Sequence, residues 1–158
     1  MTGVSQAAGW STHTNTDPMT DEKTVFAGAE NENSRFYLYT RQNSYWKKDS
    51  DLYPRYEYIG GFVLKRRNFS QIHYEPKLIT VRVDNNQPVN MFFTSWEPDK
   101  VFFDLTKERR LIDEMMKGKV MLVQYPTSRN GKKIERYSLR GSTVAMKKAL
   151  IGYESTKE

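Results

Sequence analysis

Residues 79 to 95, ITVRVDNNQPVNMFFTS, contain the clearest structural pattern in the chain and decide its fold class. Ile79, Val81 and Val83 alternate with polar residues, which is the pattern of a β-strand with one buried face. The polar residues NNQP that follow predict a turn, and the remaining residues return along the first strand. We therefore expect an antiparallel hairpin with a four-residue loop.

Further strands are predicted on both sides of this hairpin. Residues 120 to 123 are apolar on both faces, as expected for a central strand, and Asn130-Gly131 supplies the turn before a return at residues 134 to 139. On the N-terminal side, strands are expected at residues 24–27, 36–40 and 56–64. In the last of these, Gly60-Gly61 indicates a bulge or a close approach of another chain segment.

Two short helices are predicted in the C-terminal half. The first is capped by Asp104 or Thr106 and ends before Gly118, which we expect to be the terminating C′ glycine. The second is capped by Ser142 and runs to about residue 150, with Val144 on its apolar face.

Strands outnumber helices, so the sequence predicts a mainly β fold. We expect one antiparallel β-sandwich-like domain with two short helices near the C-terminal half. The predicted boundaries are a flexible N-terminal arm at residues 1–15, the domain at residues 16–153 and a tail at residues 154–158. A length of 158 residues suits a single domain with its own core.

Composition excludes several classes of site. The chain has no cysteine, so disulfides, thiol nucleophiles and thiolate metal sites are excluded. Its two histidines, His13 and His73, are far apart in the sequence. No apolar run approaches the ~20 residues that a transmembrane helix needs.

Charge is distributed unevenly along the chain. The formal net charge is +6, but residues 1–33 carry five carboxylates and one lysine, so the remainder carries +10. A basic surface of this kind attracts nucleic acid, anionic lipid or an acidic protein. The alternative is an ordinary solvated surface.

Carboxylate pairs are the remaining candidates for chemistry. Asp17, Asp21 and Glu22 have a spacing that could bind a cation such as calcium, but a proline turn that bonds its own backbone explains them better. The neighbours Asp113 and Glu114 point in different directions on a helix, so they do not make an acid–base pair. No phosphate loop, nucleophile elbow or zinc-binding helix motif is present. We expect no enzymatic activity, no metal and no cofactor.

Aromatic and basic residues are interleaved between residues 35 and 58. Either these aromatic residues fill the core and only the predicted loop at residues 42–54 is exposed, or they form a surface for a protein or for single-stranded nucleic acid. The predicted partner-binding residues lie in and beside this loop and in the basic C-terminal hairpin: Tyr45, Trp46, Lys47, Lys48, Tyr53, Arg55, Arg129, Lys132 and Lys133.

Short stretches along the chain follow a recognisable order: Trp10, the turn and strand at residues 17–26, the strand end VRVD at residues 81–84, and C-terminal pieces at residues 115–118, 120–124 and 137–145. This order resembles the VasI/TagO family, accessory proteins associated with bacterial type VI secretion. The family pattern has a cysteine in a mid-chain strand and another near the C-terminus, and this chain has neither. The resemblance is therefore to a cysteine-free branch, of the kind that a phage or another mobile element would encode.

The resemblance implies a β-sandwich interaction module that has no catalytic residues and is periplasmic or secreted. Without it, a cytoplasmic location is expected. We predict a non-enzymatic accessory protein that binds another protein, at the bacterial envelope, through the aromatic-rich loop and the basic face. The alternative is a β module that binds nucleic acid or another polyanion. The sequence leaves the oligomeric state open.

Overall fold

A computed structural model describes residues 9–42, 56–65, 78–97, 99–127 and 131–153. The elements in these ranges are β1 (Ser11–Thr16), β2 (Lys23–Glu30), β3 (Ser34–Gln42), β4 (Tyr56–Leu64), β5 (Leu78–Val83), β6 (Val89–Phe92), β7 (Thr94–Glu97), β8 (Lys100–Asp104), α1 (Arg109–Lys117), β9 (Val120–Pro126), β10 (Lys132–Ser138) and α2 (Ser142–Ala149).

The strands form two antiparallel sheets, as the sequence predicts. One sheet has six strands in the order β1-β2-β3-β4-β8-β7, and the other has four in the order β10-β9-β5-β6. Their inner faces enclose one core, to which Phe36 and Phe62 contribute from the six-stranded sheet and Val81 and Val123 from the four-stranded sheet. The fold is therefore mainly β and sandwich-like, with two helices.

The hairpin that decides the fold class is present, but its return strand is shorter than predicted. β5 pairs with β6 in the expected antiparallel register, with Leu78 opposite Phe92. The chain then leaves this sheet at Phe93, whose side chain is buried, and β7 pairs with β8 in the six-stranded sheet. Burial of Phe93 between the sheets thus divides the predicted strand at residues 89–95 into two.

The second hairpin is confirmed. β9 lies between β10 and β5, so it is a central strand, and β10 pairs with it along seven residues. Only one face of β9 is buried, however: Met121 and Val123 point into the core, whereas Val120 and Leu122 lie partly exposed on the outer face.

The two glycines of β4 permit a close approach and do not form a bulge. The register between β3 and β4 is continuous from Ser34 opposite Leu64 to the end of β3. A Cβ atom at Gly60 would lie 2.4 Å from the Phe103 ring, and one at Gly61 would lie 2.3 Å from the Tyr37 ring. Both faces of β4 therefore carry aromatic rings in direct contact with its backbone.

The prediction of an arm at residues 1–15 is wrong for the part that the structure describes. All six residues of β1 pair with β2. Trp10 is buried, and its backbone N–H donates to the carbonyl oxygen of Arg140 at 2.8 Å. The sequence of β1 lacks an apolar pattern because all six of its residues are exposed, so the strand is held by backbone pairing with β2 and by the buried Trp10 that precedes it.

Helix α1 begins later than predicted, at Arg109. Asp104 ends β8 instead, and its carboxylate accepts the N–H of Thr106, whose own hydroxyl accepts the N–H of Tyr58. Gly118 follows the helix with φ of −85°, so it is not a left-handed cap. It is needed for space, since a Cβ there would lie 2.4 Å from a methyl group of Val83.

Ser142 is the first residue of α2 and not its cap. Gly141 precedes the helix at φ of +79°, a left-handed conformation that favours glycine. The Ser142 hydroxyl donates to the carbonyl oxygen of Met115 at 2.7 Å, and so satisfies a carbonyl in the last turn of α1. Val144, predicted on the apolar face, is exposed, and Met146 is buried in its place.

The side chain of Asn31, in the turn between β2 and β3, joins the two sheets. Its Nδ2 donates to Oε1 of Glu135 and to the carbonyl oxygen of Arg136, both at 3.1 Å. Its Oδ1 accepts the backbone N–H groups of Asn33 and Ser34 and the Ser34 hydroxyl. One amide group therefore organises the turn and binds β10 of the other sheet.

Two buried tyrosines extend this contact. The Tyr125 hydroxyl donates to Oε2 of Glu135 at 3.3 Å, and the Tyr137 hydroxyl shares a short hydrogen bond with the hydroxyl of Ser34. Burial is the main cause that raises the pKa of both phenols, so they stay protonated and can donate over the whole neutral range. Glu135 thus keeps two donors despite its burial.

We expect Asn31→Ala to lower the free energy of unfolding by about 2–4 kcal/mol, because it removes one of the two donors to the buried Glu135 carboxylate and leaves three backbone groups without their partner. Urea unfolding followed by circular dichroism measures this loss. Asn33→Ala in the same turn is the control and should cost less than about 0.5 kcal/mol. Equal losses in the two variants would contradict the role given to Asn31.

Asp84, the last residue of the VRVD stretch, connects β5 to the start of β9. It has a φ of +51°, which few residues other than glycine, asparagine and aspartate adopt readily. Its carboxylate accepts the backbone N–H of Val120 at 3.0 Å and that of Lys119 at 3.2 Å. Its own N–H donates to the carbonyl oxygen of Val120.

Asp84→Ala should therefore destabilise the protein by about 1–3 kcal/mol, since it removes the acceptor and strains the backbone. Asp84→Asn keeps one acceptor oxygen and tolerates the positive φ, so we expect a clearly smaller loss. Thermal unfolding of both variants tests this order, and an asparagine variant as unstable as the alanine variant would refute it.

Candidate binding surfaces

The structure describes two of the nine predicted binding residues. Lys132 and Lys133 lie side by side at the start of β10, and both are exposed. The other seven lie outside the described residues: Tyr45, Trp46, Lys47, Lys48, Tyr53, Arg55 and Arg129. The structure therefore locates the basic end of the predicted surface and the strands that flank the predicted loop.

Three partly exposed aromatic rings that contact one another lie on the outer face of the six-stranded sheet, and we call this cluster the aromatic face: Phe26, Tyr37 and Tyr39. Phe102 of β8 is also partly exposed on this side of the sheet. The centroid of the Phe26 ring lies 5.8 Å from the centroid of the Tyr37 ring and 4.9 Å from that of the Tyr39 ring. The two tyrosine rings are stacked at 6.2 Å with an interplanar angle of 22°. The Tyr37 ring packs directly on the backbone of Gly61, where no side chain separates the ring from the sheet.

Alternation along β3 and β4 divides the aromatic residues between core and surface. Phe36 and Tyr58 point inward and are buried, whereas Tyr37 and Tyr39 point outward and are partly exposed. Part of the set therefore fills the core, as the first alternative predicts, but Tyr37 and Tyr39 are also accessible outside the predicted loop. That these rings bind a partner stays a prediction. Burial raises the pKa of Tyr39, so its phenol is protonated at neutral pH.

The arginines beside the aromatic face are paired with carboxylates. Arg35 lies 2.9 Å from Glu30, and Arg41 donates through two nitrogens to Glu57, the closer at 2.7 Å. These pairs cancel much of the positive charge that the sequence suggests for this region. Glu30 also pairs with Lys65 at 3.4 Å, so three cations share two carboxylates and the margin of the aromatic face keeps only a small excess of positive charge.

The outer face of the four-stranded sheet is different, and we call it the basic sheet face. Lys132, Ile134 and Arg136 point outward from β10, and Arg136 and Leu122 share a row with Arg82 of β5. No carboxylate points outward from the described strands of this sheet. The guanidinium of Arg82 also donates to the carbonyl oxygen of Asn86 in the adjacent turn.

A cleft of about 300 Å³ lies beside α1. Its polar lining comprises Asp84, Asn86, Arg110, Asp113, Glu114 and Lys117. Three carboxylates are engaged within the fold: Asp84 with backbone N–H groups, Glu114 with Arg110 at 2.7 Å, and Asp113 with the Tyr153 hydroxyl. Burial, followed by the hydrogen bond to Asp113, raises the pKa of Tyr153 and keeps it a donor.

The acidic segment after β1 forms the turn that the sequence favours. The carboxylate of Asp17 accepts the N–H of Met19, and the hydroxyl of Thr20 accepts the N–H of Glu22. Within the ranges that the structure describes, no three His, Asp or Glu side chains are grouped as metal ligands would be. No helix in those ranges is long and apolar enough to span a membrane.

Sequence reasoning missed Phe26 and Arg82 as members of the two faces. Each lies in a strand that was predicted correctly, and the period of two gives its side of that strand. What the pattern omits is which strands become neighbours. Phe26 meets Tyr39 only because β2 pairs with β3, and Arg82 joins Arg136 only because β9 lies between β5 and β10.

Comparison with known proteins gives one structural likeness. The chain is similar to the crystal structure of invasion associated protein B from Bartonella henselae, with a TM-score of 0.60 and 12% sequence identity over 89% of this chain and 91% of that one. No protein-family model and no curated protein sequence matches the chain. The likeness at this identity establishes a shared fold.

Proposed function

We propose that this protein is a non-enzymatic accessory module that binds another protein through the aromatic face and the segment that follows β3. The observation that carries the proposal is the stacked group of Phe26, Tyr37 and Tyr39 on the outside of the sheet. Tyrosine and other aromatic residues dominate binding hot spots because they bury a large area with few rotatable bonds.

Continuity along the chain supports the same surface. β3 carries Tyr37 and Tyr39 and ends at Gln42, so the predicted binding residues Tyr45 and Trp46 follow directly in the sequence. The local charge also favours a protein over nucleic acid here. Because Arg35 and Arg41 are paired with carboxylates, this face offers little excess positive charge to a phosphate backbone.

The compartment belongs to the same proposal. The sequence resemblance to the VasI/TagO family supports an envelope-associated role, with the protein periplasmic or secreted. In this role the sandwich would present its binding surface to a component of the envelope or of a secretion apparatus, without transforming it.

Replacement of the rings should weaken binding without unfolding the protein. We expect Tyr45→Ala/Trp46→Ala, and separately Tyr39→Ala, to reduce capture of the partner by about tenfold or more, as for typical hot-spot residues. The measurement is an affinity pull-down from the native host with quantitative mass spectrometry, followed by titration of the purified partner.

Phe92→Ala is the matched control. Phe92 is 79% exposed on the four-stranded sheet, more than the partly exposed Tyr39, so its loss removes an accessible ring from the other side of the sandwich. Partner capture should be unchanged in this variant. Undiminished capture by the Tyr39 and Tyr45/Trp46 variants would exclude the aromatic surface from binding.

A second candidate function, polyanion binding, is favoured by the basic sheet face. Its outward cations have no carboxylate beside them in the described strands, which suits a phosphate backbone. If this function is correct, fluorescence anisotropy should detect binding of a labelled single-stranded oligonucleotide that weakens steeply as salt is added. In a plot of the logarithm of the binding constant against the logarithm of the salt concentration, each phosphate contacted should add about −0.7 to the slope. Lys132→Ala/Arg136→Ala should then reduce that slope by about 1 to 2. Binding that does not change with salt would reject this candidate.

A further inference from the structure

Among the residues that the structure describes, strand β1 is an edge strand of the six-stranded sheet, and it lacks the usual protection against pairing. It consists of serine, threonine, histidine and asparagine, with no lysine, other charged residue or proline. Its register with β2 is continuous over all six residue pairs, so no bulge turns it away from solvent. All six residues are exposed. Natural sheet edges are normally blocked by at least one of these devices.

The hydrogen bonds at both ends of β1 determine which backbone groups face outward. The N–H of Asp17 donates to the carbonyl oxygen of Glu22, which continues the β1–β2 ladder. Since the direction of these groups alternates along a strand, Thr12, Thr14 and Thr16 direct their N–H and C=O groups away from β2. Trp10 is an even number of residues from these threonines, so its N–H also points away from β2, and it donates to the carbonyl oxygen of Arg140.

The other three sheet edges in the described part of the chain are protected. β10 carries exposed lysines and Arg136, and the Arg136 carbonyl oxygen already accepts from Asn31. β7 has a break in register between Thr94 and Glu97, and β6 has only four residues and follows Pro88. The open edge is thus a specific feature of β1.

We propose that two copies of this chain pair through β1 in antiparallel orientation, across a two-fold axis perpendicular to the sheet. This arrangement joins the two six-stranded sheets into one and satisfies the outward backbone groups of both copies. It rests on the edge alone and is independent of the proposed binding function.

The side chains of β1 suit pairing with themselves. A two-fold axis of this kind places the residues with outward backbone groups in one copy opposite those in the other. Thr12, Thr14 and Thr16 therefore face threonines of the second copy. Cross-strand threonine pairs are favourable, and the strand has no charge that would be placed opposite its own copy. A self-complementary strip is what a two-fold interface requires.

Charge at the ends of β1 selects the antiparallel orientation. The turn after β1 carries Asp17, Asp21 and Glu22, whereas exposed Arg140 lies beside Trp10 at the start of the strand. Antiparallel pairing brings the acidic turn of each copy towards Arg140 of the other. Parallel pairing would instead place the two acidic turns together, where like charges repel.

Sedimentation velocity over a concentration series tests the proposal on the full chain. The wild-type protein should form a dimer, and Thr14→Pro should raise its dissociation constant by about tenfold or more, because the symmetric pair loses an N–H donor from each copy. The Thr14 N–H does not contribute to the β1–β2 ladder, so the variant should keep the fold. Thr14→Val is the matched control, since it changes the side chain and retains the donor.

A charge exchange gives a second, independent variant. Glu22→Lys and Arg140→Glu should each weaken the dimer, and the double variant should recover it. A wild-type protein that remains monomeric at its solubility limit would overturn the proposal. So would a dimer that Thr14→Pro leaves intact while circular dichroism shows a native fold. If Thr14→Pro does not fold, failure of the double charge variant to recover dimerisation decides against the proposal.

Discussion

The hydrogen bonds of the Asn31 side chain are the constraint on which the closed sandwich depends. A carboxylate buried between two sheets is costly unless donors reach it, and Glu135 receives one from Asn31 and another from Tyr125. The same amide orders the β2–β3 turn, so the geometry of the turn and the position of β10 are coupled. Apolar contacts supply most of the driving force for packing, but they are not directional. This polar contact fixes which part of the turn meets which part of β10.

Glycines in β4 connect the core to the surface. Gly60 gives space to the Phe103 ring inside the sandwich, and Gly61 gives space to the Tyr37 ring outside it. Any side chain at Gly61 would displace Tyr37 and separate it from Phe26 and Tyr39. The aromatic face is therefore positioned by a central strand of the sheet and does not rely on a loop for its shape. A rigid platform of this kind loses little conformational entropy when a partner binds.

The two outer faces of the sandwich differ in physical character. One has stacked rings with ion pairs at their margin, and the other has Lys132, Arg136 and Arg82 without neighbouring carboxylates on the described strands. Since the faces lie on opposite sides, one partner need not contact both. The open edge of β1 is a third surface, and it borders the aromatic face because His13 lies opposite Phe26. Pairing through β1 would bring two aromatic faces onto the same side of one continuous sheet.

Local patterns in the sequence determined the mainly β fold, most strand positions and both hairpins, because alternation and turn chemistry depend only on neighbouring residues. They also indicated the turn at Asp17 and the contact at Gly60-Gly61. Tertiary structure alone decided that residues 11 to 16 form a strand, since β1 has no apolar pattern and depends on pairing with β2. It also decided the change of sheet at Phe93, the start of α1 and the assembly of each outer face. Each of these outcomes depends on contacts between residues distant in the chain, which a local pattern does not contain.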